Sequence, residues 1–235
     1  MTTHELPIHG TVYGVLLNAN AEWQSASAHM NEAPYKAPPV APVLYIKTAN
    51  TWSINDSTIP VPADVPNVEV GATVGVVMGL PNTEGTPHLR GFVLLNDVSI
   101  PHSVNAQGFY RPPVKYKCLD GFLGVGPTLV PASDVAHPNA LQLEVRINGV
   151  VRQTVHLADM RRLLPDLLAD VNDFMTLQAG DVLMLGLDIC HDGPEAGHRP
   201  HARVGDVIEI KALNLPSLGV LRHILVAAPA LEMPV

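Results

Sequence analysis

The sequence predicts an α+β fold in which strands dominate. Two observations carry this expectation. Short apolar runs of strand length recur along the whole chain, set apart by many of its 22 prolines and 18 glycines, the pattern of many short elements joined by ordered turns. Helical spacing of apolar residues, by contrast, is confined to one stretch, 163–175, with a second Ala/Ser-rich candidate at 19–30.

Taken in order, 11–17 reads as a first strand, apolar and ended by Asn18. Residues 19–30 suit a short helix or a mobile lid. Pro34, Pro38, Pro39 and Pro42 then impose an extended path that leads into a strand at 43–47. Ile59 to Pro66 is again extended. Two apolar runs, 73–78 and 91–95, follow, and the second ends abruptly at Asn96-Asp97.

The clearest local signal is at 141–157. Leu141 to Ile147 alternates apolar and polar side chains, Asn148-Gly149 supplies the two positive-φ residues of a type I′ turn, and Val150 to Leu157 returns, which predicts a β-hairpin. Leu164, Leu167, Leu168, Val171, Phe174 and Met175 then recur at helical spacing, with Pro165 expected as the first helical residue. Gly180-Asp181 and Gly205-Asp206 turn the chain into strands at 182–187 and 207–212. Between those strands, 190–203 is polar, contains His191, His198 and His201, and reads as a solvated loop rather than a transition-metal site, since its spacing matches no closed zinc pattern.

Bulk properties narrow the functions. With 235 residues, 47% of them hydrophobic, the chain is long enough to bury a substantial core, and one domain over 1–235 is expected. A net charge of -8 with 14 basic residues argues against nucleic acid or an anionic membrane as the main partner. Cys118 and Cys190 form no CxxC and suggest neither a disulfide framework nor a zinc knuckle; a reducing cytosol is the expected setting. Met1 to Gly10 has no leader-like pattern, and 12–17 is too short for a membrane span.

The segment 68–124 is where chemistry is expected, because side chains just past strand ends are held by a sheet and face solvent. Its order of motifs is VVMG (76–79), NDVS (96–99), YRP (110–112) and KCLDGF (117–122). INGVVRQ (147–153), ADM (158–160) and GDVL (180–183) follow it. In that order they resemble the fumarylacetoacetate hydrolase superfamily, and within it the N-terminal half or separate subunit of the bifunctional isomerase/decarboxylases of homoprotocatechuate (4-hydroxyphenylacetate) degradation. The resemblance runs from LLNAN (16–20) to GDVIEI (205–210). It implies a mixed β-roll, with 1–66 forming N-terminal strands and lid and 67–235 the core.

The resemblance also implies a magnesium-type site in metal-bearing relatives, made by a Glu-x-Glu pair before the VVxG strand and the Asp of the N-D pair. Glutamates two apart share a strand face, and hard oxygen ligands suit such an ion. Here Gly71 and Thr73 stand where those glutamates are expected, Glu69 is displaced by one pair of strand positions, and Asp97 alone is kept. No cofactor is therefore expected in this chain. Asp97 then has two readings, a substrate-binding carboxylate or a turn residue accepting backbone N–H groups.

Lys117 matches the lysine that reaches into the family site and is the leading catalytic candidate, placed to stabilise developing negative charge. Tyr110 and Arg111 match a substrate-contacting pair; with Lys115 and Asp120 nearby, Arg111 and Lys117 suggest an anion pocket. His29 and Glu32 have the His-x-x-Glu spacing of the family lid's base and its partner, one residue off register. Two family motifs are absent: an Arg-Asp pair is replaced by Pro101-His102, and a T-G-T-P loop by Leu185-Gly186-Leu187-Asp188.

Three functional readings follow. The first is an isomerase-type subunit acting without its own metal on a small dicarboxylate such as 2-hydroxyhepta-2,4-diene-1,7-dioate. The second is a non-catalytic pseudo-subunit that supports a metal-bearing paralogue. The third, a superfamily hydrolase, is disfavoured by the missing glutamates. A homodimer or heterodimer is the expected assembly.

Overall fold

The computed structural model describes residues 6–33, 36–81, 88–101 and 113–229. In chain order the strands and helices are β1 (Val12–Leu16), α1 (Asn20–Ser27), β2 (Val43–Lys47), β3 (Trp52–Ile54), β4 (Thr58–Val61), β5 (Val68–Glu69), β6 (Ala72–Gly79), β7 (His88–Asp97) and α2 (Pro113–Lys117). They continue with β8 (Leu123–Val125), β9 (Val130–Pro131), β10 (Gln142–Ile147), β11 (Val150–His156), α3 (Leu164–Asn172), β12 (Val182–Met184), β13 (His201–Ala202), β14 (Val207–Ala212) and β15 (Val220–Ala227).

Among the described residues the strands form one large mixed sheet, ordered β2-β1-β12-β6-β7-β8-β3 with β9 beside β7. A second sheet is ordered β11-β10-β14-β15-β4, and β13 pairs with β5. The expected α+β, mostly β architecture is what the chain adopts.

Strand alternation explains how the sheets stack. On the central strands, Val74, Val76, Phe92 and Leu94 face the second sheet and share one core with Leu143, Val145, Ile208, Ile210, Leu221 and Leu225. The intervening Val77, Val93 and Leu95 point the other way, into a smaller core with Val12, Leu123, Val182 and Met184. A strand covered on both faces must be apolar at nearly every position, and β6 is buried from Ala72 to Met78. β10, with one face exposed, alternates instead. Helix α3 adds Leu164, Leu167 and Val171 to the larger core; it begins one residue before Pro165, which occupies its second position.

The hairpin forms as expected, with Asn148 at φ 52° and Gly149 at φ 76°. A bulge between Val145 and Arg146 shifts its register. β15 was not anticipated. Its eight residues bury every second side chain and pair with both β14 and β4; Arg222 and His223 interrupt the apolar run that would have marked it. No helix among the described residues is long and apolar enough to cross a membrane.

Candidate functional site

The site is assembled by two strand ends and one short helix. β7 carries Leu95 into the smaller core, so Asp97, two residues on, emerges on the same face at the end of the strand. β2 lies two strands beyond β6's neighbour β12, and by the same alternation it presents Tyr45 and Lys47 together. Helix α2, tied to the chain after β7 by the bond from Ile100 N to Tyr116 O (2.9 Å), delivers Lys117.

Asp97 is fully buried and ion-paired on both sides. Lys47 Nζ lies 2.7 Å from Oδ1 and Lys117 Nζ 2.7 Å from Oδ2. The Tyr45 hydroxyl donates to the same Oδ2. Lys117 Nζ also donates to Ser99 Oγ at 2.9 Å and lies 4.4 Å from the centre of the Tyr45 ring. Lys47 Nζ donates to the carbonyls of Val98 (3.2 Å) and Lys117.

These contacts replace the water that burial removes. Burial alone pushes the Asp97 carboxyl up, but Lys117 and Lys47 outweigh it and hold the group well below the ordinary carboxylate range. The Tyr45 hydroxyl is pushed up, first by burial and then by the Asp97 charge, and keeps its proton. Burial pulls the Lys117 ammonium down, and Asp97 only partly offsets this.

A second layer adjoins the first. Arg199 bridges Glu22 of α1 (2.7 Å) and Glu69 of β5 (2.8 Å). Those carboxylates, acting against burial, raise the guanidinium further above its usual range. Glu22 also accepts the Leu17 N–H at 2.9 Å.

Several sequence expectations change here. The turn-capping reading of Asp97 is corrected: its side chain takes ammonium groups and a phenol, while that of Asn96 reaches the neighbouring chain, where its Oδ1 accepts the Gly71 N–H at 3.1 Å. The solvated reading of 190–203 holds for 191–194 and 196–198, which are exposed, but not for the whole segment. Arg199 is only 12% exposed at its side chain, His201 and Ala202 form β13, and Glu195 is ion-paired to Arg152 at 2.6 Å. Lys115 is exposed while Lys117 is buried, so the two do not share a pocket.

Asp120 is exposed and accepts a bond from Asn50 Nδ2 at 2.7 Å. His29 and Glu32 contact each other at 3.1 Å with side chains 72% and 66% exposed, out in solvent rather than over the buried ions. Tyr110 and Arg111 lie outside the described residues. Lys47, Tyr45, Ser99, Glu22 and Arg199 were not singled out from the sequence. The first two left a signal, a Tyr-x-Lys spacing at a strand end; Arg199, inside a polar loop, left none.

The residues at the metal position do not fit a divalent ion. Asp97 is already committed to two ammonium groups and a phenol. A β-carbon on Gly71 would meet the Asp97 carbonyl oxygen at 2.5 Å, and Glu69 is committed to Arg199. Thr73 is buried with its hydroxyl unpartnered among the described residues, but one neutral oxygen makes a poor ligand set. No group of three potential metal-ligating side chains occurs among the described residues.

A β-rich double layer with a buried carboxylate–lysine centre at the end of its middle strands defines the class of protein. The profile of the family described as fumarylacetoacetate (FAA) hydrolase C-terminal matches residues 11–226, and the chain belongs to that family. Among curated relatives, the 4-hydroxyphenylacetate degradation bifunctional isomerase/decarboxylase of Escherichia coli is 32% identical over 214 residues. The match covers 89% of this chain and 46% of the relative, so the chain spans about half of that protein's length.

Among solved structures, the 5-carboxymethyl-2-hydroxymuconate delta-isomerase of Mycobacterium smegmatis superposes with a TM-score of 0.70 at 23% identity, covering 95% of this chain and 82% of that one. A maleylpyruvate hydrolase of Sphingobium sp. SYK-6, solved with manganese and pyruvate, gives 0.67 at 19% identity, covering 93% and 71%. At these identities the structural matches speak for the fold.

Proposed function

We propose that this chain is an isomerase-type unit of aromatic catabolism, acting on a 2-hydroxy-dienoate or 2-oxo-enoate dicarboxylate of the kind handled by the isomerase/decarboxylases it resembles, and that it does so without a metal at Asp97. The observation that carries this reading is the placement of the Lys117 and Lys47 ammonium groups, 2.7 Å on either side of Asp97. Two positive charges held beside one carboxylate leave a net positive centre in a low-dielectric setting, where an enolate oxygen is stabilised far more than in water.

Tautomerisation moves one proton and one double bond, so it needs an oriented acid–base group and a group that holds the enolate oxygen. Lys117 is assigned the second role. Tyr110 and Arg111 keep their assignment as substrate contacts on the sequence resemblance alone, and His29 with Glu32 as a lid dyad does likewise.

A second reading rests on a specific observation. Asp97 is fully buried and Lys117 is 5% exposed, so the centre is closed in this state. A closed, fully ion-paired centre also suits a non-catalytic unit that dimerises with a metal-bearing paralogue. An ultraviolet assay of the purified chain with 2-hydroxyhepta-2,4-diene-1,7-dioate separates the two. Turnover that ignores EDTA and collapses in Lys117→Ala supports the first; turnover that begins only when a metal-bearing paralogue is added supports the second. Turnover by the chain alone that EDTA abolishes would overturn the metal-free assignment.

A further inference from the structure

We propose that Asp188 and His191 form a second acid–base centre, separate from the Asp97 cluster, that opens onto the cleft beside α1 and takes an uncharged small molecule bearing hydroxyl or carbonyl groups. The pair lies just after β12, where the chain departs from the family's T-G-T-P loop. Asp188 Oδ1 accepts the Ile189 N–H at 2.9 Å, and Oδ2 lies 2.9 Å from His191 Nε2. The Asp188 side chain is 1% exposed and that of His191 49% exposed. A buried carboxylate thus orients a half-exposed imidazole. In the proposal the carboxylate accepts from Nε2 and leaves Nδ1 as the free ring nitrogen, the arrangement of an oriented general base.

The surrounding loop is fixed. Cys190 N donates to the His198 carbonyl (2.8 Å), Gly197 N to the Cys190 carbonyl (2.9 Å), and Glu195 is held by Arg152 and by the His201 backbone N–H. Burial raises the Asp188 carboxyl above its usual value, and His191 acts against that rise.

His191 lines a cleft of about 560 Å³ between α1 and the loop, within the range of small-molecule sites. Asn20, Gln24 and Ser25 are among the residues lining its α1 side, and Asp159 is among those opposite. Amide and hydroxyl groups match hydroxyl and carbonyl partners. Among the described lining residues there is no lysine or arginine and there is one carboxylate, so an anion is disfavoured. This ligand class differs from the dicarboxylate assigned to the Asp97 centre, and the inference stands whether or not that assignment does.

The probe is 4-nitrophenyl acetate. His191 Nδ1 takes a proton from water as the water oxygen adds to the ester carbonyl, 4-nitrophenolate leaves with the bonding pair, acetic acid is released, and the proton passes from the ring to solvent. Protein-dependent hydrolysis is expected to fall at least about tenfold in His191→Ala and in Asp188→Asn, and to stay at the wild-type rate in His137→Ala, an exposed histidine elsewhere.

Asp188 is a positioning residue, and its role is read independently by long-range ¹H–¹⁵N spectra of the imidazole. His191 should be a single Nε2–H tautomer in the wild type and a mixture in Asp188→Asn. Hydrolysis unchanged in His191→Ala, or a ring spectrum indifferent to Asp188→Asn, would overturn the proposal. His191 is half-exposed, so His191→Ala is expected to fold, checked by circular dichroism, and its result decides the matter even if Asp188→Asn does not fold.

Discussion

The ring of Tyr45 occupies the space that a β-carbon on Gly14 would fill. The two residues face each other on paired strands, Gly14 of β1 opposite Tyr45 of β2, and the missing side chain lets the phenol cross β1 and reach Asp97. Gly14→Ala should therefore displace the ring and break its bond to Asp97. We expect a loss of about 1–3 kcal/mol in urea unfolding, as for other insertions into a packed site. A Tyr45→Ala, Gly14→Ala double variant should lose less than the sum of the two single losses.

The Asp97 centre should be intolerant of charge removal. Asp97→Asn leaves two buried ammonium groups without a counter-ion, and breaking a buried pair in this way costs about 3–5 kcal/mol. Lys117→Met should cost less, because Lys47 still pairs with the carboxylate. Thermal or urea denaturation of the two variants side by side reads this order, and equal losses would show that the lysines do not share the carboxylate's charge.

Arg199 should control α1. None of the residues of that helix is buried. It is held instead by Glu22–Arg199 and by the Arg161 guanidinium, 3.9 Å from the Trp23 ring centre. Arg199→Met should raise hydrogen exchange across 20–27 by tenfold or more while the amides of β6 stay protected, the local opening expected of an element with few apolar contacts. Uniform loss of protection would mean that Arg199 supports the whole fold rather than the helix.

Stability should fall on acidification through His223. This buried imidazole is pulled down to about 4 by burial, which outweighs its bonds to Ile54 and Ser53. In the folded protein it is neutral down to that value, whereas in the unfolded chain it takes up a proton near pH 6.5. A depressed folded value means that the contribution is complete above about pH 6.5 and is lost progressively as the pH falls toward about 4. Between pH 7 and pH 5 the loss should be about 2 kcal/mol. His223→Gln should flatten that slope, measured as urea midpoints at the two pH values.

The turn of the β10–β11 hairpin offers a purely backbone test. Gly149 has φ 76° and nothing within 4 Å of the point where a β-carbon would sit. Gly149→Ala should cost about 1–2 kcal/mol from the left-handed conformation alone, with the remaining structure unchanged by circular dichroism.

By itself, the sequence determined the elements whose signal is local. The hairpin at 142–156 follows from alternation and an Asn-Gly pair, α3 from helical spacing, and the largely apolar β6 from its composition, because each pattern is set by residues a few positions apart. The order of motifs determined the family, and Lys117 and Asp97 were legible as members of one site. That they form an ion pair was decided only by the tertiary structure.

Whether Asp97 caps a turn, binds an ion or anchors two lysines depends on Lys47, 50 positions earlier in the chain, and on a glycine at 14 that leaves a path for Tyr45. The Arg199 side chain is held largely out of solvent because Glu22 and Glu69 converge on it from different elements, while the residues just before it stay exposed. Charge pairing acts through space and carries no period along the chain. For that reason several of the strands were visible in the pattern of side chains, and the ion network between their ends was not.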